Sequence, residues 1–243
     1  MKKLYLATAA VVALTAGSAS TGLAADLSQK APGMMNATPA TSWRGLYFGG
    51  AAGIGLFASE FTDFGEVITP KTITNKGTTF NVGGTAGYNW QLRSVVFGIE
   101  ADASWTDYSK TTVGAPLTAI QAKTSWYSTV RIRAGWAADN ILVYVTGGAA
   151  FADFKNTAQG NNPALGINLC GQNGGGWSCP SGTSTGLAVG AGVEAMLAQN
   201  WSAKVEYLYL NLPSVTTVDL VLGSGYSWNN SAHILRFGAN YHL

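Results

Sequence analysis

The sequence predicts an all-β fold, an eight-stranded antiparallel up-and-down transmembrane β-barrel. Three observations predict it. Long segments alternate apolar and small polar residues at period two, the signature of strands with one apolar face. The connections between them alternate short and long. The chain also carries very little charge: of 243 residues, 11% are charged against 47% apolar, 11% are aromatic, and 31 are glycine. Soluble domains carry about a quarter charged residues and roughly half this glycine, so much of this surface must face something other than water. No stretch beyond the N-terminal region reaches the ~18 apolar residues of a spanning helix. A helical membrane protein is therefore excluded, and the length suits one all-β unit.

At the N-terminus Lys2 and Lys3 precede the apolar run Leu4 to Leu14, and Gly22 and Ala24 stand at −3 and −1 of a cut before Ala25. This predicts a secretory signal peptide over residues 1–24. Its removal takes two of the 14 Lys and Arg and none of the 12 Asp and Glu, so the mature chain is neutral and nucleic acid is not implied as a partner. Residues 25–42, with Pro32, Gly33 and Pro39 and no apolar period, predict a flexible leader. The barrel is expected over 43–243.

Six strands follow from alternation. Phe80, Val82, Ala86, Tyr88, Trp90 and Leu92 share one face, and Val95, Phe97, Ile99, Ala101, Ala103 and Trp105 continue it after a tight turn. Trp126, Val130, Ile132, Ala134 and Trp136 form a third set, and Leu187, Val189, Ala191, Val193 and Leu197 a fourth. Trp201, Ala203, Val205, Tyr207 and Tyr209 make the fifth, and Leu235, Phe237, Ala239, Tyr241 and Leu243 the last. Leu46 to Phe57 alternates more weakly, and Ile141 to Phe154 is apolar on both faces, so its phase stays open. Turns near 91–94, 138–140 and 198–200 are tight, whereas 58–77, 107–122, 155–183 and 211–230 are expected as four long loops. Eight up-and-down strands with both ends on the short-turn side need this pattern, which outer-membrane barrels show with short periplasmic turns and long external loops.

A water-soluble barrel would fill its interior with the apolar face and put charges outside. Here the polar phase carries only Glu100, Asp102, Arg131, Arg133, Glu194, Lys204, Glu206 and Arg236, four acids and four bases. One basic side chain turned into lipid at the midplane costs about 2–4 kcal/mol. The apolar face is therefore expected toward lipid. The eight charges are expected as a paired network inside a lumen that eight strands leave just wide enough for side chains. Trp43, Trp90, Trp136, Trp201 and Tyr241 at the short-turn ends, and Phe80, Trp105, Trp126 and Tyr209 at the long-loop ends, are expected as two interfacial belts.

Trp43-Arg44-Gly45-Leu46-Tyr47-Phe48-Gly49-Gly50, Leu142-Val143-Tyr144-Val145-Thr146-Gly147-Gly148-Ala149-Ala150, Gly190-Ala191-Gly192-Val193-Glu194, Asn200-Trp201-Ser202-Ala203-Lys204-Val205-Glu206-Tyr207-Leu208-Tyr209 and His233-Ile234-Leu235-Arg236-Phe237-Gly238-Ala239-Asn240-Tyr241 resemble the small Gram-negative outer-membrane β-barrel family. Its members are called outer-membrane immunogenic proteins or opacity-type surface antigens. The match covers nearly all of 43–243. The resemblance implies outer-membrane lipid and lipopolysaccharide as surroundings. It also implies recognition of the last strand by the barrel-assembly machinery through Leu235, Phe237, Tyr241 and Leu243, although this chain ends in Leu where the family usually ends in Phe.

The chemistry-bearing residues are few. Cys170 and Cys179 are the only cysteines. In an exported chain the pair reads as a disulfide, worth about 2–3 kcal/mol by loop closure, because no His lies near for a zinc set. Gly53 to Ala58 and Gly190 to Ala195 satisfy a loose dinucleotide fingerprint without its strand-to-helix context, so no cofactor is expected. Ser231 and His233 share a strand face and Asp219 precedes them, the composition of a lipid hydrolase triad, but such spacing is common by chance; His242 has no evident partner. The expectation is a structural surface barrel and not an enzyme. The alternatives are an adhesin or ligand-binding antigen acting through the 155–183 loop, with a host or surface ligand, and a small-solute porin.

Overall fold

Eight antiparallel strands pair in chain order and close on themselves: β1 (Gly45–Asp63), β2 (Thr72–Leu92), β3 (Val95–Gly114), β4 (Thr118–Ala138), β5 (Ile141–Gly160), β6 (Ser181–Met196), β7 (Trp201–Val218) and β8 (Gly225–His242). This is a computed structural model that describes residues 42–64, 72–114, 118–160, 181–218 and 225–243. The signal peptide, nearly all of the leader, Cys170, Cys179 and Asp219 lie outside the described residues. Closure joins β1 to β8 with Tyr47 opposite His242, and the Leu243 amide donates to the Leu46 carbonyl at 2.9 Å. A closed barrel leaves no strand edge unpaired in lipid, the condition for crossing a membrane with strands.

At membrane level the faces are as the alternation predicts. Phe80, Phe97, Ile132, Val145, Val189 and Phe237 all point outward and are exposed. The open phase of β5 resolves with Leu142, Tyr144, Thr146, Ala150, Ala152 and Phe154 inward. From Phe80 to Trp90, from Val95 to Trp105 and from Trp126 to Trp136 is eleven residues each, the length of a spanning tilted strand. Lipid-facing Trp90, Trp105, Trp126, Trp136 and Trp201 are exposed.

Three expectations need correction. The segments 58–77, 107–122 and 211–230 are largely strand, and 155–183 is strand at both ends, over 155–160 and 181–183. Only 64–71, 115–117, 161–180 and 219–224 separate the strands on that side. Accordingly Phe80, Trp105 and Trp126 lie in mid-strand, and about eight further residues of each strand rise beyond them, ~20 Å at the usual rise and tilt. Trp43 is not in a belt. It is fully buried under the short-turn mouth, packed with Val96, Ala137, Leu142, Tyr144 and Met196, with its amide donating to Gln91 Oε1 at 2.7 Å.

The outer extensions escape the alternation rule because their polarity is exchanged. Along β7, Lys204 and Glu206 point inward and so do Leu208, Leu210 and Leu212, two residues apart on the same face. Along β8 the inward series runs Trp228, Asn230, Ala232, Ile234, Arg236. Outside, Glu60, Thr74, Lys76, Asp107, Lys123, Lys155 and Asn229 face solvent. The outer section therefore obeys the soluble-barrel rule while the membrane section obeys the reverse. Two bulges lie at the changeover, where pairing shifts between Trp105 and Tyr108 against β4 and between Thr124 and Tyr127 against β5, and a third lies farther out, between Leu212 and Val215 against β8. The last spans Pro213, which a regular ladder would not accept.

Candidate functional site: the charged lumen

Strand register alone sets acids against bases. Glu100 stands opposite Arg131, Glu194 opposite Lys204 and Glu206 opposite Arg236, so each pair projects inward side by side, the favourable arrangement across strands. All eight charged groups are at most 6% exposed. Glycine supplies the room. A Cβ on Gly53 would lie 2.7 Å from Arg236 Cα, and one on Gly148 equally close to Arg131 Cα.

Arg131 is the hub. Its guanidinium pairs with Glu100, with Asp102 Oδ2 at 2.8 Å and with Glu206 Oε1 at 3.1 Å. Arg236 completes the upper part, its Nη1 3.0 Å from Asp102 Oδ1 and its Nε donating to Glu206 Oε2 at 2.7 Å. Thr129 donates to Asp102 Oδ2 at 2.5 Å. Toward the short turns, Arg133 pairs with Glu194 Oε2 at 2.7 Å and lies 4.0 Å from the Tyr144 ring centroid. Lys204 donates to Glu100 Oε2 at 3.0 Å. Buried charges persist only when paired and hydrogen-bonded, and here every one is both.

Alternation missed several members. Arg133 donates to the Tyr47 hydroxyl at 2.9 Å, and that hydroxyl donates to Glu100 Oε2 at 2.8 Å. Tyr144 donates to Glu206 Oε1 at 3.1 Å. Ser202 and Asn240 donate to Glu194 Oε1 at 2.5 and 2.7 Å, and His242 Nε2 lies 2.9 Å from Ser202 Oγ. Tyr47 and Tyr144 sit on the two weakly alternating strands, where only the neighbouring apolar Leu46 and Phe48, or Val143 and Val145, hinted at their phase.

The remaining site residues lie elsewhere. Leu235, Phe237, Tyr241 and Leu243 occupy one outward stripe at the short-turn end of β8. Ser231 and His233 are on the outer wall, and His233 Nδ1 meets the Tyr207 hydroxyl at 2.7 Å. The two glycine-rich segments lie within strands β1 and β6, with no helix following either one.

A closed antiparallel barrel with lipid-facing aliphatic and aromatic side chains and ionic side chains within it defines an integral outer-membrane β-barrel protein. The chain matches the family described as outer membrane protein beta-barrel domain over residues 7–242, and it belongs to that family. It is 32% identical to the 31 kDa outer-membrane immunogenic protein of Brucella melitensis, covering 99% of both chains. It is 30% identical to the 22 kDa outer membrane protein of Rhizobium leguminosarum bv. viciae, covering 79% of this chain and 76% of that one. Among solved structures, OprG of Pseudomonas aeruginosa aligns at 14% identity with a TM-score of 0.49, covering 82% of this chain and 98% of that one. The protein is an outer-membrane β-barrel surface protein.

Proposed function

We propose that this barrel is a structural surface protein, closed to solute flow and without catalytic activity. The observation that carries this reading is the stacking of three obstructions along the lumen. Trp43 and its apolar neighbours fill the short-turn mouth. The eight-charge network fills the membrane section. Above it pack Phe57, Tyr108, Phe154, Leu208, Leu210 and Leu212, and above those Phe61, Ile73, Ile120 and Trp228. Single-channel recording in planar bilayers tests it: the purified protein gives no steady unitary conductance. Regular open steps would establish the porin alternative.

Outer-membrane lipid and lipopolysaccharide are its surroundings, and the outward stripe of β8 is what the assembly machinery reads. An adhesin role through the 155–183 segment is the second reading, favoured by the outer section, whose β5 and β6 strands rise beyond the membrane level before that segment. Trimming 161–180 then abolishes ligand or host binding and leaves assembly intact.

A further inference from the structure

Among the described residues the wall of the outer section is unpaired on one side. Pairing between β6 and β7 runs only from Leu187 opposite Asn211 to Met196 opposite Ser202. β6 continues along β5 as far as Ser181 opposite Lys155, and β7 continues along β8 as far as Val218 opposite Gly225. Among the described residues no β6 position above Leu187 pairs with β7, so these two strand edges make no ladder hydrogen bonds to each other.

Behind this gap the lumen carries a polar layer between two apolar ones. On β1 the inward order is Phe57, Ser59, Phe61; on β8 it is Ala232, Asn230, Trp228. Ser59 and Asn230 are register partners, and Asn156 stands at the same kind of position on β5, just above Phe154. Each is at most 3% exposed. Ser59 Oγ, Asn156 Oδ1 and Asn230 Oδ1 have no hydrogen-bond partner, which is costly for buried polar groups and calls for an explanation. A cavity of about 300 Å³ joins the gap to this layer, lined by Phe154, Asn156, Asn230 and the run Ser181–Thr185.

We propose that this vestibule binds a small uncharged polyhydroxylated molecule of the size of a monosaccharide, admitted between β6 and β7. The unpartnered amide oxygens are acceptors, so the occupant must bring donors, as hydroxyl groups do. Among the described residues no charged side chain lines the cavity, so an ion would be desolvated there without a counter-charge from them. Phe154 offers an apolar surface to the C–H face of a sugar ring. The volume lies at the lower end for small-molecule sites.

The test uses the full-length protein in detergent, with glucose, N-acetylglucosamine and glycerol as neutral probes and gluconate as the charged control, followed by saturation-transfer NMR titration. At least one neutral probe binds saturably and gluconate does not. Asn156→Leu and Asn230→Leu each weaken binding at least tenfold, Ser184→Phe at the entrance does the same without touching either amide, and Thr78→Val on the outer wall leaves it unchanged. Heat-modifiable gel migration verifies folding, and if the asparagine variants do not fold, Ser184→Phe decides. Absence of saturation by all three neutral probes, or equal affinity in the folded variants, overturns the proposal and leaves the layer as a site for water only.

Discussion

The membrane section and the outer section of this barrel use the same strands and the same inward phase, yet they solve opposite problems. In the membrane the wall faces hydrocarbon, so polarity is turned inward and held there by ion pairs. Above it the wall faces water, and the inward face becomes an apolar core of the soluble kind, with Phe61 stacked edge-on against Trp228 at 4.8 Å. The changeover takes one pleat: Glu206 to Leu208 on β7, Arg236 to Ile234 on β8. Solvent, and not strand geometry, decides which face must be greasy.

This contrast can be broken at either level. The largest effect is expected in the membrane section, where Arg131→Met leaves Glu100, Asp102 and Glu206 undercompensated. Removing one partner of a buried ionic cluster costs about 3–5 kcal/mol, read as a lower midpoint in urea unfolding from lipid vesicles. In the outer section Leu210→Ala removes apolar packing and costs about 3 kcal/mol in the same assay, with the lumen charges intact. The walls differ in the same way: Ile132→Lys, facing lipid, costs about 2–4 kcal/mol, whereas Thr74→Lys, facing water, stays within about 0.5 kcal/mol of the parent.

A titration sharpens the difference further. Tyr108, in the outer core, donates to the Asn75 carbonyl at 3.1 Å, and burial pushes its phenol up to about 12 from 10.0. Between those values the unfolded chain releases a proton that the folded one keeps. The protein therefore loses stability as pH rises from 10 toward 12, and no further slope from this group appears above 12. Tyr108→Phe flattens that limb, measured as unfolding midpoint against pH. A small effect of opposite sign belongs to the turn between β2 and β3, where Arg93 adopts φ 56°. Arg93→Gly relieves a left-handed conformation that any Cβ disfavours and raises stability by about 0.5–1 kcal/mol.

The membrane section was legible because lipid on one side and a narrow lumen on the other impose strict alternation, so Glu100, Arg131, Glu206 and Arg236 could be assigned inward from position alone. The outer section was not legible for two physical reasons. Exchange of polarity makes Leu208, Leu210 and Leu212 continue the series of Lys204 and Glu206, so an apolar-phase count sees a break where the strand runs on. The bulge at Ser125 and Trp126 then shifts β4 by one residue, placing Ala122 and Thr124 inward on even positions but Tyr127 and Thr129 on odd ones. Trp43 illustrates a different limit: a tryptophan beside a membrane interface and one corking a lumen have the same sequence surroundings. The place of His242 beside Ser202 depends on the pairing of β7 with β8, which no single strand encodes.

The opposed charges also settle how far each strand is slid along its neighbour. A displacement by two residues keeps every side chain on its own face and exchanges one aliphatic or aromatic side chain for another on the lipid side, so the greasy pattern tolerates it. It would, however, bring Glu194 level with Glu206 or Ser202, and Glu206 level with Ile234 or Gly238, instead of Lys204 and Arg236. The ionic lumen thus acts as a ruler, favouring the native register over slipped ones that hydrocarbon alone would accept.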